Sequence, residues 1–177
     1  MDRVWLLSWT TYGSRLPGDA CGFVGEFFDA DGKVARHNEP GTLPTSDHPE
    51  LAASARARMI GPTVWLTADQ AAHLVEQFLV TATYRTWSLA AVAVMAGHVH
   101  LVNGDPAPEA LLRDFKSYGS GRLNRRYGKP VSGTWWTQGG SRRILVGDES
   151  VRAAVAYVER QEKPLAVWSL VPASGGA

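Results

Sequence analysis

Two short motifs in this sequence carry the residue types of a metal-assisted nucleophile. His98 and His100 flank one apolar residue in HVH, and Tyr157 and Gln161 stand four residues apart in YVERQ. Side chains alternate across a strand, so the two histidines are predicted to share one face and to be able to chelate one metal ion. Residues four apart on a helix project side by side, so Tyr157 and Gln161 could present a phenolic nucleophile and a carbonyl ligand to that ion.

Each motif also has a plain structural interpretation. Two neighbouring histidines can be ordinary polar residues on a half-exposed strand, and a tyrosine at the edge of an apolar helix face is usually a packing residue. The metal interpretation gains support because the apolar run SLAAVAVMAG precedes His98 and places this hairpin in the middle of a sheet. Tyr118 is a second candidate nucleophile, but Gly119 and Gly121 weaken its helix and no ligand-type residue stands four positions on.

The elements that must position these residues follow from periodicity and turn signals. The predicted order is strand, helix, strand, strand, helix, strand, helix, at residues 4–10, 66–85, 88–95, 98–103, 108–127, 143–146 and 150–162. Thr67 and Gln70 form a capping box at the start of the first helix. A small hairpin is expected around the turn signal at Asp31 and Gly32. This order predicts an α+β domain in which helices cover one face of an antiparallel sheet.

Length and composition are those of an ordinary globular chain. The 177 residues predict a single domain, 1–177, with a long irregular insertion at 12–62 and a C-terminal tail at 165–177. The single cysteine, Cys21, excludes an internal disulfide and a cysteine-based zinc site. No apolar run could span a bilayer and no signal peptide is recognisable, so a cytoplasmic protein without a membrane partner is expected.

The charge is unevenly distributed along the chain. The net charge is +1, but eight basic residues and one acid lie between Leu111 and Leu145. Such a block indicates a polyanion partner, although a basic run taken alone is more simply a solvated helix face.

Taken together, the motifs resemble the single-tyrosine transposases of the HUH endonuclease superfamily, especially the insertion-sequence-200-like and REP-associated tyrosine transposases. The resemblance consists of HVH at 98–100, a basic helix and YVERQ at 157–161, in that order, and covers roughly residues 4–164. It implies a ferredoxin-like fold, with Tyr157 as nucleophile and a magnesium or manganese ion held by His98, His100 and Gln161. It also implies cleavage beside a hairpin in single-stranded DNA through a 5′-phosphotyrosine link, by a monomer or a homodimer.

The charge and position of several residues also predict a DNA surface. We predict phosphate contacts from the basic residues of the 111–145 block, stacking of unpaired bases on Trp135 or Trp136, and a hairpin contact from Arg15. The phosphate-contacting residues are Lys116, Arg122, Arg125, Arg126, Arg142 and Arg143.

Three other classes compete with this interpretation. A non-catalytic nucleic-acid-binding module would have no use for the intact Tyr157 and Gln161. A histidine-triad nucleotide hydrolase would need a further alternating histidine where Leu101 and Val102 stand. A metal-binding structural protein would leave the basic block unexplained.

Overall fold

The structure is a computed structural model that describes residues 3–19, 26–28, 34–36, 49–104 and 107–170. The strands in these residues are β1 (Val4–Thr10), β2 (Glu26–Phe28), β3 (Val34–Arg36), β4 (Ser88–Val94), β5 (His98–Gly104), β6 (Ser141–Leu145) and β7 (Ala166–Ser169). The helices are α1 (Pro49–Ala57), α2 (Ala68–Arg85), α3 (Pro108–Tyr127) and α4 (Gly147–Glu159).

Five of the strands form one antiparallel sheet in the order β6-β1-β5-β4-β7. Strands β1, β4, β5 and β6, with α2 and α3 as the crossover helices, form the split βαβ arrangement of a ferredoxin-like fold. The predicted α+β, ferredoxin-like class is therefore confirmed.

The sheet has an apolar core on each face. On one face α2 and α3 cover an aromatic core that includes Val99 and Leu101 of β5. On the other face Ala154 and Val158 of α4 pack in a second cluster that includes Val102. The prediction that the helices cover only one face is therefore wrong for α4. Because side chains alternate along β5, the strand has apolar residues to bury on both faces.

Helices α2 and α3 pack closely against each other beneath the sheet. The capping box is present, since Thr67 N donates to Gln70 Oε1 at 2.9 Å and Gln70 N donates to Thr67 Oγ1 at 3.3 Å. Thr67 is therefore the N-cap, and α2 begins at Ala68 rather than at 66. A β-carbon at Gly119 would lie 3.1 Å from Phe78 Cε1, so this glycine permits the close approach of the two helices.

Two regions of the structure were not expected from the sequence. Helix α1 lies inside the segment 12–62, which was predicted to be irregular, and the β2–β3 hairpin predicted there is present. The turn of that hairpin, at 29–33, lies outside the described residues. Strand β7 lies inside the predicted tail and pairs with residues 91–94 of β4. Its four residues, AVWS, show no clear alternation of apolar and polar side chains, so the sequence did not predict a strand. They form one because they pair with the open edge of β4.

None of the helices in the described residues is both long enough and apolar enough to cross a membrane.

Candidate active site

His98 and His100 lie side by side on the face of the sheet that α4 covers. They stand on β5 opposite Thr10 and Ser8 of β1, and their ring centroids are 5.0 Å apart. The predicted sharing of one face is confirmed. Ser8 Oγ is hydrogen-bonded to His100 Nδ1 at 2.6 Å, so the neighbouring strand fixes the orientation of this ring.

Both imidazoles have a lowered pKa, mainly because they are partly buried. Desolvation and then the positive charge of Arg15 lower the pKa of His98. Desolvation, His98 and Arg15 lower the pKa of His100 to about 4. Both rings are therefore neutral at pH 7, which is the form that binds a metal ion. When His100 Nδ1–H donates to Ser8 Oγ, His100 Nε2 carries the lone pair, which can accept a hydrogen bond or bind a metal ion.

Tyr157 extends from α4 toward the same histidine. Its hydroxyl lies 3.5 Å from His100 Nε2, and the two ring centroids are 5.3 Å apart. Helix α4 buries Ala154 and Val158 and leaves Tyr157 49% exposed at the edge of its apolar face. The fold thus joins a phenol and two imidazoles that are far apart in the sequence.

Tyr118 is not part of this cluster. It lies on α3, whose buried residues pack in the aromatic core on the other face of the sheet, and its ring contacts Tyr84 and Arg85. Within the described residues no hydrogen bond or ring contact joins Tyr118 to His98 or His100. Of these two tyrosines, the structure therefore brings Tyr157, and not Tyr118, to the histidines.

Gln161 lies just beyond the end of α4. The helix spans Gly147–Glu159, three residues earlier at each end than predicted, so Gln161 follows the C-cap Arg160. Its side-chain Nε2 donates to the backbone carbonyl of Tyr157 at 2.9 Å. Gln161 therefore remains beside Tyr157, as the spacing predicted, but its amide nitrogen binds the helix end. No hydrogen bond in the described part of the chain joins Gln161 to the histidines.

Two neutral imidazoles on one face could supply two ligands to a divalent metal ion. Among the residues that the structure describes, no group of three histidine, cysteine, aspartate or glutamate side chains could hold a metal ion. Further ligands would have to be the amide oxygen of Gln161, water or substrate oxygens. A site with few protein ligands and open positions is the kind used for catalysis rather than for structure.

A groove of about 660 Å³ opens beside Tyr157, between α4 and strands β1 and β6. Arg143 lines it, because residue 143 of β6 pairs with Leu6 of β1 on the same side as Ser8. The carboxylate of Glu149 lines the groove as well. Arg143 is exposed and has no ion pair within the described residues, so its charge is available to a ligand in this groove.

The basic block that was predicted to bind DNA is largely neutralised by other residues. Four of its arginines lie against carboxylates, in the pairs Arg113–Asp114 (2.8 Å), Arg122–Glu76 (2.9 Å), Arg142–Glu109 (2.7 Å) and Arg126–Asp69 (4.0 Å). Lys116 Nζ donates to the carbonyl oxygens of Thr137 and Gly139, and burial lowers its pKa to about 8. Arg125 is exposed near the C-terminal end of α3. The block therefore presents much less free charge than the sequence indicated.

Trp135 and Trp136 are both only 5% exposed. Trp135 Nε1 donates to Asn124 Oδ1 at 2.8 Å, and Trp136 Nε1 donates to Ser120 Oγ at 2.8 Å. These bonds attach the 134–138 loop to α3. Because Trp135 is buried, the prediction that it stacks on a base is wrong. Arg15 acts electrostatically on both histidines, and its contact with DNA stays a prediction.

Two residues near the site were missed by the sequence analysis, namely Ser8 and the exposed Trp65. Ser8 stands two residues before Thr10 on the first strand, so alternation alone places it on the same face as Thr10. Its position opposite His100 depends on the register of β1 against β5. That register was not available from the sequence.

No model of a known protein family matches this chain, and no curated protein matches it. One similar solved structure is a REP-associated tyrosine transposase bound to a REP hairpin, with a TM-score of 0.44 and 10% identity. The match covers 89% of this chain and 66% of the other, so this chain spans just under two thirds of that protein's length. Another is the structure of a protein assigned as a transposase from Deinococcus radiodurans R1, with a TM-score of 0.44, 17% identity, and coverage of 92% and 93%. Both are described as transposases, as are the proteins that HVH and YVERQ resemble.

Proposed function

We propose that this protein is a metal-dependent endonuclease and strand transferase of single-stranded DNA, a transposase, in which Tyr157 attacks the scissile phosphate. The observation that supports this most is the 3.5 Å approach of the Tyr157 hydroxyl to His100 Nε2, on the face that also holds His98. Phenols have a pKa of about 10 and are weak nucleophiles at neutral pH. A tyrosine nucleophile therefore needs a neighbouring group that helps its hydroxyl to lose a proton, and the imidazole of His100 lies next to the hydroxyl of Tyr157.

The residues around Tyr157 would hold the reacting groups in place. Ser8 orients the His100 ring, and that ring packs against Tyr157 with an interplanar angle of 68°. A divalent ion held by His98, His100 and Gln161 would neutralise charge that develops on the phosphate oxygens. Arg143 would bind a neighbouring phosphate in the groove.

The proposed reaction is a reversible transesterification. The Tyr157 oxygen forms a bond to phosphorus, the bond from phosphorus to the 3′ oxygen breaks, and the proton that leaves the phenol is balanced by one that the 3′ oxygen takes up. The products are a 5′-phosphotyrosine link and a free 3′ hydroxyl. Attack by another 3′ hydroxyl reverses the step and joins two strands without a nucleotide cofactor. The proposal includes a DNA hairpin beside the cleavage site, because the sequence resemblance implies one.

A non-catalytic module that binds single-stranded nucleic acid is the second candidate. Gln161 is the observation in its favour, because its Nε2 is bound to the Tyr157 carbonyl and, within the described residues, no hydrogen bond joins its amide to His98 or His100. Such a module would bind the same DNA and form no covalent link.

A covalent-trapping experiment tests the proposal. Labelled single-stranded hairpins from the sequences that flank the gene are incubated with the protein and Mn²⁺ and separated on a denaturing gel. Wild type is compared with Tyr157→Phe, with His98→Ala/His100→Ala, and with Tyr118→Phe as the matched tyrosine control. We expect a slowly migrating protein–DNA band that needs Mn²⁺, persists in Tyr118→Phe and is lost in the other two variants.

Three other outcomes would be decisive. A band that survives Tyr157→Phe and is lost in Tyr118→Phe would mean that Tyr118, and not Tyr157, is the nucleophile. A band that forms equally well in the presence of a chelator would remove the metal from the proposal. The absence of a band on DNA that the protein binds tightly would favour the non-catalytic module.

A further inference from the structure

Trp65 is an exposed tryptophan at the end of the sheet where His98 lies. Its side chain is 60% exposed, whereas those of Val64 and Leu66 on either side are only 8% and 4% exposed. An extended segment points alternate side chains in opposite directions, so burial of Val64 and Leu66 turns Trp65 outward. Because most of this ring stays in contact with water, Trp65 contributes little buried apolar area to folding, and its exposed face is available to bind a ligand.

The backbone around Trp65 is firmly attached to the sheet. Val64 N donates to Tyr12 O at 2.9 Å, and Leu66 N donates to Ala96 O at 2.8 Å. Thr11 Oγ1, in a fully buried residue, donates to Val64 O at 2.7 Å. The ring therefore cannot turn inward without the loss of these bonds, and a ligand would meet it already in position.

The indole lies against the turn that precedes His98. A β-carbon at Gly97 would lie 2.7 Å from Trp65 Cζ3 and 3.4 Å from Trp65 Cε3. The ring thus covers the backbone of Gly97, the residue directly before the first histidine of the site. The positive charge of Arg15 acts on both histidines, so a cation also stands near this end of the sheet.

We propose that Trp65 stacks on one unpaired base of single-stranded DNA next to the scissile phosphate. The inference rests on the proposed function, because it takes the substrate of that site to be single-stranded. An aromatic ring stacks on any base, since every base has a π-face, and loss of one such contact weakens binding by roughly 5- to 150-fold. An exposed tryptophan also suits a protein partner, but its position beside the candidate active site and the charge of Arg15 favour nucleic acid.

The test measures binding of the hairpin DNA by fluorescence anisotropy, using full-length protein that carries Tyr157→Phe so that no DNA is cleaved. Into this background Trp65→Ala, Trp65→Phe and the control Tyr84→Ala are introduced. Tyr84 is 71% exposed and lies near the far end of α2, away from the histidines. We expect Trp65→Ala to weaken binding by roughly 5- to 150-fold. Trp65→Phe should retain part of the affinity and Tyr84→Ala all of it.

A scan with abasic sites, combined with Trp65→Ala, identifies the stacked base from the DNA side. One abasic position beside the cleavage site should weaken binding to the Trp65-containing protein. The same abasic position should cause no further loss in Trp65→Ala, because the contact is already absent.

The outcomes separate this inference from the proposed function. If wild type forms the covalent link but Trp65→Ala binds as tightly as its parent, the function stands and the stacking inference is wrong. The inference is also overturned if the loss of DNA affinity from Trp65→Ala adds to the loss from every abasic position, because the ring would then not contact any of those bases. If the protein neither binds nor cleaves single-stranded DNA, both proposals fail, and a protein partner becomes the better explanation of Trp65.

Discussion

The two faces of the sheet differ in what they bury. The face under α2 and α3 holds a dense aromatic core, in which Phe78 meets Trp9 at 5.8 Å and Phe115 at 5.4 Å between ring centroids. The face under α4 buries small residues such as Ala91 and Ala93 and opens into the groove beside Tyr157. Folding stability is therefore expected to depend mainly on the first face, and chemistry on the second.

The largest expected effect tests this separation on the aromatic core. Phe115 is fully buried, so Phe115→Ala should lower the free energy of unfolding by about 3–5 kcal/mol, since it leaves a cavity. Urea unfolding followed by circular dichroism measures this change. The matched variant on the other face, Tyr157→Phe, removes only a half-exposed hydroxyl and should change stability by less than ~0.5 kcal/mol. Equal losses in the two variants would show that the faces are not separated in this way.

An intermediate effect is expected at Ser8, which acts on the second face through His100. Without the Ser8 hydroxyl the ring loses the partner of its Nδ1, and such losses lower metal affinity by roughly 10- to 100-fold. Ser8→Ala should therefore bind Mn²⁺ more weakly in a calorimetric titration, with unchanged thermal stability. Ser150→Ala serves as the control, because Ser150 lines the same groove and its hydroxyl donates to carbonyls of its own helix start. Unchanged affinity in Ser8→Ala would mean that this hydrogen bond does not prepare His100 for a metal.

The smallest expected effect compares two adjacent arginines on β6 that point to opposite faces. Arg143 lines the groove without an ion pair in the described residues, whereas Arg142 binds Glu109 of α3 at 2.7 Å. Arg143→Gln should weaken binding of single-stranded DNA and reduce the slope of log affinity against log salt by roughly 0.7. Arg142→Gln should change this slope much less. The same reduction in both variants, measured by anisotropy over a salt series, would place the DNA on both faces.

Much of the fold was predictable because its signals are local. Helix α3 has the predicted bounds, and the capping box at Thr67 marks the start of α2. The alternation rule put His98 and His100 on one face, and the apolar stripe of α4 put Tyr157 at its edge. Each of these features depends on residues within a few positions of one another, so the sequence carries them directly.

Other features depend on contacts between distant parts of the chain. The register of β1 against β5 brings Ser8 to His100, and the packing of α4 on the second face brings Tyr157 to the same ring. Trp135 is buried, whereas Trp65 is exposed because Val64 and Leu66 on either side of it are buried.

By itself, then, the sequence determined helices α2, α3 and α4, the strand that carries the histidines and the position of Tyr157 at the edge of an apolar helix face. Only the tertiary structure decided which face receives α4, which arginines remain free and which tryptophan is exposed. The physical reason is that periodicity and capping act over a few residues, whereas register, ion pairing and burial depend on which distant segments meet.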